Sequence, residues 1–509
     1  MIFSRAKILV LPLAASLLAS CSVGPNYERP PVETPDSFKE LGDWKPAEPA
    51  APASGQPWWS VYGDPVLDQL EKQVDISNQN LKASEAAYRQ AVAQVGEARA
   101  GYFPSVGIDP SATRSRTPGS NGGGANTRNA FSLPVDASWV IDIWGQVRRQ
   151  VESARATAQE SAADLAALRL SEQATLAQDY FQLRIADENK RLLDDTATAY
   201  ARTLQITQNR YAVGVAARSD VAQAQTQLDN ARSQAVAAQV PRAELEHAIA
   251  VLIGQPPEGF SLPPSSSPYV FHVPVAPAGV PSALLERNPN VAANERAVAA
   301  ANANIGVALT GYFPSLTLTG SYGFSSSMLD TLMKSSNLAW TIGPQVNFNV
   351  FNGGLTTSQV AAARAGYDQT VANYRQAVLT SFQGVEDNLA ALKLLEQQSA
   401  VQDGAVDSAQ LAQNLIMNEY MAGTVDFTTV VTAEATTLAD RQTDYGIIQS
   451  RLNASVLLIE TLGGGWDQSQ LPDAALPGLL PSTEVPDQPG ANPHPGAGPH
   501  PGAGSPWSQ

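Results

Sequence analysis

A single cysteine and only four histidines in 509 residues leave little material for a metal site. Lysine and arginine are outnumbered by acids, 32 against 48, which gives a formal charge of −16 and no basic stripe to neutralise phosphates, so a nucleic-acid role is not expected. Chemistry-bearing motifs are missing too. There is no P-loop, no His-Glu-x-x-His, no Gly-x-Ser-x-Gly and no evident pair of carboxylates, and Gly122-Gly123-Gly124 lacks the strand-then-helix setting of a phosphate cradle. An enzyme is not expected. Long hydrophobic runs are also absent: Ile8 to Ala19 falls short of the roughly 20 residues a spanning helix needs.

What the chain does have is a duplication. Gly101-Tyr102-Phe103-Pro104-Ser105 returns 210 residues later as Gly311-Tyr312-Phe313-Pro314-Ser315, each time closing an Ala-rich helical pattern and opening an alternating one. After Ser315, Leu316, Leu318, Tyr322 and Phe324 alternate with Thr317, Thr319 and Ser321, a period of two that suits a strand wet on one face. A return strand follows, with Leu338, Trp340, Ile342, Val346, Phe348 and Val350 against Thr341, Gln345, Asn347 and Asn349. In the first copy the return strand sets Phe131, Leu133, Val135, Trp139 and Ile141 against Ser132, Asp136 and Ser138. The correspondence extends to Asn78 with Asn288 and, at an offset of 209, to Tyr211 with Tyr420, Gly214 with Gly423 and Gly254 with Gly463. Two tandem copies of helix, hairpin, long helix, turn and helix are therefore expected.

The order along the chain follows. Residues 1–20 read as a lipoprotein signal peptide: Arg5 and Lys7, a short apolar run, then Leu18-Ala19-Ser20 before Cys21. That ending resembles a lipobox, which implies cleavage before Cys21 and a covalent diacylglycerol and N-acyl lipid there, an anchor worth about 0.8 kcal/mol per buried methylene. Residues 21–64 form a Pro-rich extended arm whose end is docked by Trp58-Trp59. The first repeat spans 65–254, with its hairpin at about 105–142, and a helix from Asp64-Pro65 is expected to run to Ala100. A Pro-rich linker at 255–281 leads to the second repeat, 282–465, with its hairpin at about 315–351. The segment 466–509 ends in a Pro/Gly/His tail expected to be disordered, and His494 and His500 in it are assigned no metal. Between Gln146 and Tyr211 no Pro or Gly intervenes, which predicts a rod of roughly 100 Å. Val221, Ala224, Leu228, Ala231, Ala235 and Ala238, then Leu245, Ile249 and Leu252, read as a coiled-coil seam, and His247 as a packed imidazole within it.

Four amphipathic strands cannot close a barrel, and apolar strands with open edges would aggregate, so self-assembly is implied. Two chains would supply eight strands and a filled bore; three would supply twelve and room for water. The lipobox, Trp58-Trp59, both Gly-Tyr-Phe-Pro segments, Asn-Arg-Tyr-Ala-Val-Gly ending at Gly214, and the run from Arg242 to Gly254 together resemble the outer membrane factor family of TolC- and OprM-like exit ducts, in its lipidated, NodT-type drug-efflux branch. The resemblance covers residues 1 to 466. It implies a mainly α fold with a transmembrane β-barrel, assembled as a homotrimer into a 12-stranded β-barrel and a 12-helix periplasmic α-barrel. It also implies an outer membrane location and a passive duct for drugs or other small toxic compounds. The implied partners are outer membrane lipid, a periplasmic membrane fusion (adaptor) protein and an inner-membrane transporter of the resistance-nodulation-division type.

The resemblance further places a periplasmic gate at the helix turns 211–220 and 420–432. Gly214 and Gly423 would permit the reversals. Asp220 would either cap the next helix or repel its symmetry mates. Acids that the family commonly carries after the second turn are replaced here by Thr429 and Thr432, which leaves Asp426 and Asp220 as the candidate charges and predicts closure by hydrogen bonds and packing. Two other readings stay open: an exit duct for secreted proteins of the type I kind, and a coiled-coil structural lipoprotein with no pore.

Overall fold

In the computed structural model, which describes residues 22–41, 57–118, 125–274 and 286–471, helix α1 (Pro65–Ser77) begins where Asp64 accepts from the amides of Val66 and Leu67 at 2.8 and 3.2 Å. The helix expected to reach Ala100 stops instead at Asn78, whose side chain accepts from Leu81 N–H and starts α2 (Gln79–Ala100). Then follow β1 (Ser105–Ile108), β2 (Ser111–Thr117), β3 (Asn126–Ile141), α3 (Gln146–Ala212), α4 (Arg218–Ala237), α5 (Gln239–Leu252), α6 (Pro289–Thr310), β4 (Ser315–Ser326), β5 (Leu338–Asn347), α7 (Leu355–Ala422) and α8 (Phe427–Thr461).

Helices α3 and α7, of 67 and 68 residues, are rods of about 100 Å. Isolated helices of such weak amphipathicity would not persist; neighbours on several sides support them. At the waist, Tyr180, Phe181 and Leu183 of α3 are buried against Trp58, Trp59, Tyr62, Leu67 and Ile253. The docking of Trp58-Trp59 is explicit: Trp58 Nε1 donates to Gln173 and Trp59 Nε1 to Asp68. Asp64 also accepts from the hydroxyls of Tyr180 and Tyr269, both at 2.6 Å, tying the arm, the rod and the linker to one carboxylate. The Arg242–Gly254 run has a structural task. Arg242 Nε bonds Asp187 at 2.7 Å, and Glu246 accepts from Leu262 N–H, clamping the linker against α3.

The short helices stack end to end beside each rod. Asn78 Nδ2 donates to Leu252 O and Ser77 Oγ to Ile253 O, so α5 ends where α2 begins. In the second copy Asn288 Nδ2 donates to Thr461 O, and α8 ends where α6 begins. Space is minimal at both joints. A Cβ on Gly254 would lie 2.2 Å from Ser77 O, and one on Gly463 1.9 Å from Arg287 O. The seam expected to run straight through residues 221–252 is broken at Ala238, because Pro241 has no N–H for the carbonyl of Ala237. Val221, Ala238, Leu245 and Leu252 are only partly buried, and His247 is exposed in the protomer, not packed. Helix α8 lacks proline and runs unbroken for 35 residues.

The sheet has the order β1-β3-β4-β5 with β2 also on β3, all antiparallel. The first hairpin's opening strand is divided at Asp109-Pro110, where proline removes a ladder donor. Strand β5 ends at Asn347, which pairs with Ser315, the first residue of β4. Phe348 and Val350, expected on this strand, therefore lie beyond the ladder and are exposed. The Gly122-Gly123-Gly124 loop, residues 1–21 and the tail from 472 onward lie outside the described residues.

Candidate functional site

Register decides what each face of the sheet meets. Ile108 pairs with Val135, Val135 with Tyr322, Tyr322 with Trp340; Trp139 pairs with Leu318, Ile141 with Leu316 and Leu316 with Val346. Paired residues share a face, so the apolar sets of β1, β3, β4 and β5 merge into one continuous surface. From Phe131 to Ile141, at about 3.3 Å per residue and a tilt of roughly 40°, this surface is about 25 Å tall, the height of the lipid-facing band of an outer-membrane barrel. The other face is polar, with Ser105, Asp136, Ser138, Thr319, Ser321 and Thr341 around a concavity of about 560 Å³. Among the described residues neither margin of the sheet, β1/β2 or β5, has a strand partner.

Below the sheet an aromatic belt marks the junction with the helices. Trp144 stacks on Phe313 at 4.7 Å and donates to Pro314 O, while Trp139 Nε1 donates to Tyr102 O. Rings with one polar atom suit this level of a bilayer. The arm ends here as well. Val23 N–H bonds Trp144 O at 3.0 Å, Ser22 packs on Gly145, and the buried Arg149 donates to Val23 O, Gly24 O and Asn26. Among the described residues no helix is long and apolar enough to cross a membrane, which leaves the sheet as the element with a membrane-suited face.

The opposite ends of the rods carry the expected turns, and the two copies close them identically. Gly214 N–H bonds Tyr211 O and Val215 N–H bonds Arg210 O; Gly423 N–H bonds Tyr420 O and Thr424 N–H bonds Glu419 O. With φ of 79° and 80°, Gly214 and Gly423 occupy the left-handed position of Schellman motifs. Asp220 reaches back to accept from Ala217 N–H at 3.1 Å, half of a capping box, since Ala217 has no side-chain acceptor. Asp426 stands at the N-cap of α8 without a side-chain cap bond. It lines a shallow groove of about 400 Å³ with Thr429, Thr432 and Ile416, and Thr432 spends its hydroxyl on Thr428 O.

Contacts joining the two copies near this tip were not evident in the sequence. Arg210 Nη1 donates to Met421 O at 2.9 Å and its guanidinium lies 4.7 Å from the Tyr420 ring centre. Thr203 donates to the buried Glu434 at 2.9 Å. Tyr420 is buried with Leu204, Leu228, Phe427 and Val430, whereas its repeat mate Tyr211 is 48% exposed. The duplication hides this difference, because equivalent letters occupy inequivalent environments. Burial pushes the Glu434 carboxyl up to about 7 from an ordinary 4.5. The folded state thus holds the proton more tightly than the unfolded chain, so this group's contribution falls as pH rises from about 4.5 to about 7. Thermal unfolding followed across that window should show the decline, and Glu434→Gln should lessen it without abolishing it, since burial also raises Glu160 to about 7 and Asp179 to about 6.

A sheet with one lipid-suited and one polar face, mounted on long paired helices, defines a membrane channel component. The sequence profile described as outer membrane efflux protein matches residues 70–255 and 280–464, once per repeat, and the chain belongs to that family. It is 29% identical over 465 residues to the antibiotic efflux pump outer membrane protein ArpC of Pseudomonas putida, covering 90% of this chain and 96% of the relative. It is 27% identical over 463 residues to the cation efflux system protein CusC of Escherichia coli, covering 90% and 99%. The solved outer-membrane channel OprN superposes with a TM-score of 0.81 at 27% identity, covering 88% of this chain and all of that one. The protein is an outer membrane efflux channel component, with the mixed α-barrel and β-barrel fold of such channels, and not an enzyme.

Proposed function

We propose that three copies of this chain complete one duct, each giving four strands to a twelve-stranded barrel and its helices to a periplasmic tunnel. The unpaired β1/β2 and β5 margins beneath a continuous apolar face carry this reading. Three copies leave a wet bore, since polar faces such as that around Asp136, Thr319 and Thr341 turn inward. The duct is passive. Energy and cargo selection come from an inner-membrane transporter of the resistance-nodulation-division type, joined through a periplasmic adaptor at the tip formed by the Gly214 and Gly423 turns. Relatives of near-equal identity are named for antibiotic and for cation efflux, which supports a cargo class of small toxic compounds chosen upstream of this chain. Cys21 lies outside the described residues, but its covalent neighbour Ser22 packs on Gly145 at the aromatic belt, and Val23 next to it is held by Trp144 O and Arg149. A lipid on Cys21 would thus enter the membrane beside the sheet, with no slack chain between.

The purified protein in detergent should have three times the protomer mass and should conduct in planar bilayers, and its N-terminal peptide should carry acyl mass that Cys21→Ser removes. A monomer without conductance would sink the assembly. Hypersensitivity to small toxic compounds in a deletion strain, with secreted proteins unaffected, separates this duct from a protein-secretion exit.

A further inference from the structure

The end of the first hairpin remote from the helices has a charge unlike the rest of the chain. Residues 110–135 contain three arginines and no aspartate or glutamate, in a protein where acids outnumber bases. Register sorts the three. Arg114 pairs with Asn129 and Arg116 with Thr127, two and four positions beyond Phe131, on the face that carries Phe131, Leu133 and Val135. Arg128 pairs with Ser115 and lies on the polar face. Strand β2 is exposed throughout, and neither Arg114 nor Arg116 makes a hydrogen bond or ion pair with a described residue.

At about 3.3 Å per residue and the tilt used above, Arg114 stands about 5 Å and Arg116 about 10 Å above the last apolar layer. That is headgroup depth. Because the helices extend into the periplasm from the opposite end of the sheet, the leaflet concerned is the outer one. Two guanidinium forks without a partner among the described residues, one above the other, match phosphate oxygens, which accept bidentate charge-assisted bonds. Asn129 and Thr127 beside them add neutral polar groups and no competing carboxylate.

We propose that Arg114 and Arg116 form a docking site for the phosphate groups of an acylated glycolipid of the outer leaflet, one site per protomer. The acyl chains then lie on the apolar surface of β3 and β4 below. This rests on the membrane-spanning placement of the sheet, and the test keeps the two apart.

The assembled wild-type protein is mixed with bisphosphorylated lipid A, dephosphorylated lipid A or phosphatidylcholine in mixed micelles and read by native mass spectrometry. Wild type should retain the bisphosphorylated lipid in preference to both others, and inorganic phosphate should not displace it. Arg114→Gln/Arg116→Gln should lose about tenfold in retention, about 1.4 kcal/mol, whereas Arg128→Gln should lose none. Equal retention by the double variant, equal loss in Arg128→Gln, or equal binding of the dephosphorylated lipid overturns the site. Should the double variant not assemble, Arg116→Gln alone is read, and undiminished retention overturns it. Conductance of the double variant reports separately on the barrel: a conducting variant without lipid retention supports the site, and a wild type that fails to insert into bilayers refutes the sheet's placement instead.

Discussion

Gly463→Ala is expected to abolish the assembled protein in the outer membrane, and Gly254→Ala to reduce it severely. Gly463 has φ +91° and its new Cβ would lie 1.9 Å from Arg287 O; Gly254 has φ +69° with 2.2 Å to Ser77 O. The left-handed backbone alone costs an L-residue roughly 1–2 kcal/mol. A contact with backbone oxygen adds more, because neither partner is a flexible side-chain end. Relief requires parting the joint, which breaks the bond from Asn288 Nδ2 to Thr461 O or from Asn78 Nδ2 to Leu252 O. Gly446→Ala is the control. It lies within α8 with nothing near the added methyl, so helix propensity predicts up to about 1 kcal/mol of stabilisation. Heat-resistant oligomer on gels and thermal unfolding in detergent check all three; wild-type yield from Gly463→Ala would contradict the tight joint.

The second large effect is expected at the tip. Arg210→Ala should raise the open fraction of the purified channel by about ten- to a hundredfold, the shift in equilibrium expected when about 1.5–3 kcal/mol of charge-assisted bonding in the closed tip is removed. Arg210 belongs to the first repeat, yet its bond is to Met421 O and its stacking partner is Tyr420 of the second. Loss of this contact removes one of the ties between the α7–α8 pair and the α3–α4 pair at the end where they turn, beside the Thr203–Glu434 bond. Arg210→Lys should fall between, since an ammonium can reach the carbonyl but does not reproduce the planar stack. Asp220→Ala should act mainly on the start of α4, because its carboxylate is engaged with Ala217 N–H. An Arg210→Ala channel that conducts like wild type would mean that the Tyr200, Leu204, Leu228 and Phe427 cluster holds the tip unaided.

Much of this architecture was legible because the determinants are local. Alternation from Leu316 to Phe324 and the absence of breakers from Gln146 to Tyr211 specify strand and rod without tertiary information. The joints were half legible. Asn78 and Asn288 are repeat mates, but a capping asparagine and a surface asparagine look alike in sequence, so the letters alone do not show the stop at Asn78. Phe348 and Val350 kept the strand period after the ladder had ended, since periodicity records which side chains could share a face and not whether a neighbouring strand is present. Pro241 was a visible breaker masked by a persuasive seam. At the tip, the turns at Gly214 and Gly423 follow from local chemistry, whereas the Arg210 and Glu434 contacts depend on how two distant coils meet.

The end-to-end joints also bear on mechanics. In each copy the line of short helices is interrupted at its waist by a capped helix end, while α3 and α7 beside it are covalently continuous. A continuous helix passes torsion along its backbone; two abutting helix ends pass compression well and twist poorly. Rotation imposed on the tip of the proposed duct would therefore be absorbed at the joints beside Asn78 and Asn288, and its barrel would keep its circumference while the far end widened.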